Sequence, residues 1–250
     1  MILGGGNNLK RWDWDTQDRS LFSAFPYHYE RISLNGSEVF SLESFESATV
    51  YIYSAKRDPL VAKIGNDELT LKVGDALQLE KSNAEIHGNG IVLVAGVKKG
   101  SRPKGFEIAT SSQVVRVQKH WGHELWLNGE HSDYAFKQIF LKSGTKTSLQ
   151  YHRVKSETLV LFEGKARFFY NSSGVSNDSV SAKDLGSVEF CEQTSIQVSP
   201  NTLHRVEALS DVILYEVSTA HLNDVIRVAD DQNRPSGRIE EEHRNFSVLK

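Results

Sequence analysis

The stretch Gly144-Thr-Lys-Thr-Ser-Leu-Gln150-Tyr-His152-Arg-Val-Lys-Ser-Glu157, continuing Thr158-Leu-Val-Leu-Phe-Glu-Gly164, carries the reading of the fold. Gln150 and His152 stand two apart, so on a strand their side chains leave the same face. The residues Arg153 to Ser156 suffice to turn the chain, and Glu157 then opens a return strand rich in β-formers that ends at Gly164. An amide oxygen, an imidazole and a carboxylate thereby meet in one place. Further on, Ser199-Pro200-Asn201-Thr202-Leu203-His204 sets a tight Pro-Asn turn ahead of a second imidazole. Together Gln150, His152, Glu157 and His204 suit one divalent transition metal, Zn first, with Mn, Fe, Co and Ni also matched by two nitrogens and one or two oxygens. Such a site keeps open positions at which water is activated or a carbonyl polarised.

Outward from this segment, short β-type runs dominate: Ala48 to Tyr53, Leu69 to Val73, Gly90 to Val97, Ala135 to Leu141, Ala166 to Tyr170 and Val212 to Val217. Turn residues such as Gly65-Asn66-Asp67, Gly74-Asp75 and Gly144 punctuate them, the pattern of a sandwich or barrel with few helices. Leu222 to Ala229 reads as a short helix, and the chain from Asp230 onward as a polar, loosely packed extension. Lys98 to Lys104 changes composition as a linker does. The expected division is an N-terminal β domain over 1–100, a metal-binding domain over 106–228 and a polar tail over 229–250. Trp12 and Trp14, two apart, read as one face of an N-terminal strand.

Composition narrows the partners. The 250 residues carry a net charge of -3 with no Lys/Arg cluster, which argues against nucleic acid and against an anionic membrane surface. No basic stretch followed by an apolar run opens the chain, and no window nears the roughly 18 apolar residues of a spanning helix. One cysteine, Cys191, leaves no intramolecular disulfide and no cysteine-based zinc cage. A soluble cytoplasmic protein, monomer or homodimer, is expected.

The first segment resembles the first motif of the cupins, G-x5-H-x-H-x3,4-E-x6-G, with Gln150 where the first His stands. The stretch Pro200 to His204 resembles the second motif, with Asn201 where Gly is usual. The resemblance implies an all-β fold, the double-stranded β-helix or jelly-roll barrel. The rhythm shared by Leu69 to Leu79 and Gly186 to Val198 suggests two barrels, the N-terminal one degenerate and metal-free. His87 sits where a comparable ligand would fall, but no Gln-x-His with a following Glu precedes it.

Within the cupins, Ser148-Leu-Gln150-Tyr-His152 is similar to the Ser-Leu-Gln-x-His run of the type II phosphomannose isomerase family. Lys119-His-Trp121-Gly122, Glu216-Val217, Val225-Ile-Arg227, Asp230-Asp231 and Arg234 extend the likeness, whereas Gln232-Asn233 replaces that family's Tyr-Gly step. The resemblance implies metal ligation by Gln150, His152, Glu157 and His204, and a metal-dependent isomerase acting on a sugar or sugar phosphate through an enediol. Lys137, which strand alternation places with Ile139 and Leu141, and Glu216 are the candidates for moving the proton. Arg227 is the candidate for a phosphate or carboxylate contact, and Trp121 for stacking on a sugar ring, against the commoner role of a core Trp. A non-catalytic sugar- or nucleotide-sugar-binding cupin is the alternative, with Fe(II)-dependent dioxygen chemistry a third.

Overall fold

The structure is a computed structural model that describes residues 2–3, 7–10, 26–36, 40–41, 45–56, 59–171, 185–192 and 194–238. Trp12, Trp14 and His243 lie outside the described residues. Among those described the chain forms strands and turns and no helix, so none is long and apolar enough to cross a membrane. In chain order the strands are β1 (Ile2–Leu3), β2 (Asn7–Lys10), β3 (Tyr27–Asn35), β4 (Phe40–Ser41), β5 (Ser47–Ala55), β6 (Leu60–Ile64), β7 (Asp67–Leu71) and β8 (Ala76–Glu80). They continue as β9 (Glu85–His87), β10 (Asn89–Val97), β11 (Gly105–Ala109), β12 (Val115–Lys119), β13 (Gly122–Trp126), β14 (Ala135–Leu141), β15 (Leu149–Tyr151) and β16 (Glu157–Glu163). The last are β17 (Lys165–Asn171), β18 (Gly186–Cys191), β19 (Thr194–Val198), β20 (Leu203–Ala208), β21 (Val212–Ser218), β22 (Ile226–Ala229) and β23 (Gly237–Arg238).

Two compact units result, one of residues 17–116 and 125–137, the other of 1–16, 117–124 and 138–250. The first contains a five-stranded antiparallel sheet, β11-β8-β5-β10-β3, and a four-stranded one, β4-β9-β6-β7. Gly65-Asn66 closes the β6–β7 hairpin as a two-residue loop, with Gly65 at φ 60° where a side chain would be strained. Val50, Ile52, Leu77, Leu79, Val92 and Val94 from the larger sheet pack against Leu60, Ala62, Leu71 and Ile86 from the smaller, the apolar core of a two-layer barrel. The stretch Lys98 to Lys104 connects β10 to β11, which pairs back onto β8 within this unit.

The second unit repeats the plan. One sheet holds β1-β2-β19-β16-β21 and continues through β14, and the other is β18-β17-β20-β15-β22-β23. Leu159, Leu161, Ile196, Val198, Val212 and Leu214 of one layer meet Ala166, Phe168, Phe190, Val206 and Ala208 of the other. The interior of β16 explains its continuous apolar reading: Glu157 to Leu161 are all buried, as expected of a strand covered on both faces. Gly164 ends that strand at φ 91°, where a Cβ would meet the carbonyl oxygen of Asp211.

One expectation is corrected. Leu222 to Ala229 is not a helix: Ile226–Ala229 is strand β22, with Leu149 opposite Ala229, Gln150 opposite Arg227, and Tyr151 opposite Ile226. Eight residues are too few for a helix to stand without tertiary support, and the β-branched Val225, Ile226 and Val228 satisfy the open edge of β15 instead. Beyond it, Gly237–Arg238 adds β23 at the same edge.

Candidate metal centre

Three segments of the second unit converge. Gln150 lies on β15 and His152 just past its end, Glu157 is the first residue of β16, and His204 is on β20. Register does the rest: Gln150 is directly opposite His204 on one side and Arg227 on the other, so the three side chains share a face. Asn201, at φ 62°, makes the turn before β20, and its backbone N–H donates to the carbonyl of His152 at 2.6 Å. The tolerance of Asn for that conformation is why it can replace glycine there.

His152, Glu157 and His204 are 1%, 2% and 3% exposed, and their ligand atoms all lie within 4.8 Å of one another. This is the one group of three such side chains among the described residues. His204 Nε2 stands 3.0 Å from Glu157 Oε1, and His152 Nε2 stands 3.5 Å from Glu157 Oε2. The outer nitrogen of each ring is occupied. His152 Nδ1 donates to the Asp224 carbonyl and His204 Nδ1 to the Thr202 carbonyl, both at 2.9 Å. A carbonyl can only accept, so each Nδ1 carries hydrogen and each Nε2 is turned inward, the arrangement that fixes tautomer and ring angle in metal-binding histidines. His152 Nε2 is buried with no hydrogen-bond partner, a cost a ligand would relieve. Phe168 stacks on the His204 ring at 5.9 Å and 20° and limits its swing.

The carboxylate is polarised from behind. Lys155, 3% exposed, donates from Nζ to Glu157 Oε2 and to Glu216 Oε1, each at 2.6 Å, and Ser218 Oγ donates to the same Glu216 oxygen at 3.1 Å. Burial by itself would raise the Glu157 pKa, but the Lys155 ammonium beside it holds it well below the usual carboxylate range. Burial likewise opposes the Lys155 ammonium, and its two carboxylate partners outweigh that and raise its pKa. Asp224 ties the turn down: its Oδ2 accepts from the backbone N–H groups of Val154 at 2.5 Å and Lys155 at 2.8 Å.

The other residues singled out from the sequence fall as follows. Gln150 Oε1 accepts from Ser148 Oγ at 2.9 Å. Arg227 is buried beside Gln150 in register and donates from one Nη to the Pro235 carbonyl at 3.3 Å. Glu216 is joined to the cluster through Lys155. Trp121 is buried in the apolar core with Leu141, Leu159 and Val212 among its cluster. Lys137 belongs to the other unit, its Nζ 4.8 Å over the Trp126 ring. From the sequence, neither Lys155 nor Asp224 carried a role at the site. In the sequence Lys155 stands two residues before Glu157 and Asp224 directly before Val225, and Asp224 lies 72 residues from the His152 it orients.

No protein-family model matches the chain, and no curated protein sequence does. Solved structures do. A variant of Bacillus subtilis oxalate decarboxylase superposes with a TM-score of 0.62 at 10% identity, covering 91% of this chain and 78% of that one. An IolB-like protein from Salmonella typhimurium LT2 gives 0.58 at 11% identity, over 88% and 90%. Quercetin 2,3-dioxygenase from Acinetobacter baumannii gives 0.55 at 14%, over 77% and 73%. At such identities the likeness speaks for the fold: the chain is an all-β protein of the cupin jelly-roll type, as its motifs predicted.

Proposed function

We propose that this chain is a metal-dependent cupin enzyme that interconverts an aldose and a ketose, free or phosphorylated, through an enediol. The observation that carries the metal half is the inward-facing pair of Nε2 atoms around one carboxylate, with both Nδ1–H groups spent on backbone carbonyls. Gln150, His152, Glu157 and His204 would hold the ion. A divalent metal bound there supplies polarisation of two neighbouring substrate oxygens, which is what moving a proton between adjacent carbons requires.

The chain's own residues support the isomerase half. Arg227 shares a face with Gln150 and offers a planar guanidinium to a substrate phosphate or carboxylate. Glu216, joined to Glu157 through the Lys155 bridge, is the sequence's candidate for moving the proton. The similarity of Ser148-Leu-Gln150-Tyr-His152 to the phosphomannose isomerase family adds to this reading. Mass spectrometry of metal in untreated protein, beside the His152→Ala/His204→Ala variant, is the test. About one equivalent in the wild type and none in the variant is expected; a wild type that takes up no Zn, Mn or Fe(II) ends the proposal. Screening aldose and ketose phosphates with the metal restored then tests the reaction itself.

A second reading has its own observation. Two imidazoles and one carboxylate are also the donors of non-haem Fe(II) oxygen enzymes. Oxygen consumption with Fe(II), and inactivity toward sugars, would favour it over the isomerase. Saturable sugar binding without turnover would point to the non-catalytic alternative.

A further inference from the structure

We propose that Lys155 is a positioning residue that confines Glu157 to single-oxygen ligation and thereby keeps two neighbouring metal positions open for substrate. The inference rests on the metal reading above and concerns how that site is limited. Glu157 has its two oxygens in different company: Oε1 lies 3.0 Å from the inward nitrogen of His204, whereas Oε2, 3.5 Å from that of His152, also receives the Lys155 ammonium at 2.6 Å. A carboxylate gripping a divalent ion can use one oxygen or both, and an ammonium donating to the second oxygen competes for the lone pairs that oxygen would offer the ion. Here a buried cation claims that oxygen.

The grip cannot relax easily. Lys155 is buried along its length, its ammonium is shared with Glu216 at 2.6 Å, and Ser218 holds that second carboxylate in turn. Its backbone N–H is fixed by Asp224. Withdrawing the ammonium from Oε2 would leave two carboxylates and a cation imperfectly paired in a dry site, which is strongly unfavourable. Were the bound ion six-coordinate, four protein ligands each giving one atom would leave about two positions, enough for two neighbouring oxygens of a sugar. Bidentate Glu157 would take one of them. Lys155 also places a positive charge close to the ion, so it weakens metal binding while preserving the room for chemistry.

The full-length protein loaded with Mn(II) alone reads this out. Solvent-proton relaxation counts the exchangeable waters on the bound ion, and titration gives its affinity. In Lys155→Met we expect one exchangeable water fewer and binding tighter by about tenfold, since an adjacent positive charge is removed. Lys155→Arg, which retains the charge and donors, is expected to keep the wild-type water count. Should Lys155→Met fail to fold, Lys155→Met/Glu216→Leu replaces the buried ion pair with apolar groups, and it is expected to show the same lost water. An unchanged water count, or weaker Mn(II) binding, in a folded variant overturns the assignment while leaving the metal reading intact. Failure of the wild type to bind Mn(II), Zn or Fe(II) overturns both.

Discussion

At the scale of single residues, the protein spends its buried charges on orientation. His152 and His204 are each held on the side away from the cluster, by the Asp224 and Thr202 carbonyls, and Lys155 fixes Glu157 through Oε2. The three motif residues were legible because ligand chemistry needs particular side chains at particular spacings. Lys155 was not, since an exposed lysine and one bridging two carboxylates look alike in sequence. Away from the site, Asp230 makes a testable pair with Arg234, Nη2 to Oδ2 at 2.7 Å, and accepts the Gln232 N–H at 2.8 Å. Burial pushes its pKa up, but Arg234 and that backbone donor prevail and bring it down to about 2. A depressed carboxylate pKa stabilises above the unfolded value near 3.9 and ceases to as pH falls through the folded one. Urea unfolding of wild type and Asp230→Asn should therefore differ at neutral pH and converge as pH falls from about 4 to about 2. A difference independent of pH would remove the ion pair as its cause.

Elements show why closing residues of the motif matter as much as its candidate ligands. Strand β16 enters the site at Glu157 and must leave at Gly164 with φ 91°, facing the Asp211 carbonyl of the adjoining turn. Gly164→Ala puts a Cβ into that carbonyl and into an unfavourable backbone region, at a cost of about 2 kcal/mol. Chemical denaturation should show this loss; an unaltered midpoint would mean the turn can open at no cost. Strand β22 teaches the opposite lesson. Val225 to Val228 is compatible with either structure locally, and only the edge of β15, more than seventy residues earlier, decides for a strand.

On the scale of the whole chain, the candidate ligands tie together segments that a folding chain must bring from 150 to 204 in sequence, and the N-terminal strand β2 pairs with β19 near them. A metal that binds only the assembled site adds its binding free energy to folding, about 2.7 kcal/mol at a hundredfold excess over Kd. Differential scanning should show the melting temperature rising with added Zn or Mn and falling with chelator in the wild type, with neither shift in His152→Ala/His204→Ala. Equal shifts in both proteins would assign the ion to some other place.

By itself the sequence determined the all-β class, the two motif segments and the donors they carry, since these follow from local spacing, strand alternation and turn residues. The tertiary structure alone decided that Lys155 meets Glu216, that Asp224 orients His152, and that Arg227 lies beside Gln150. Those pairings join residues 61 to 77 positions apart. Their partners are set by strand order and register, which no local periodicity in the chain encodes.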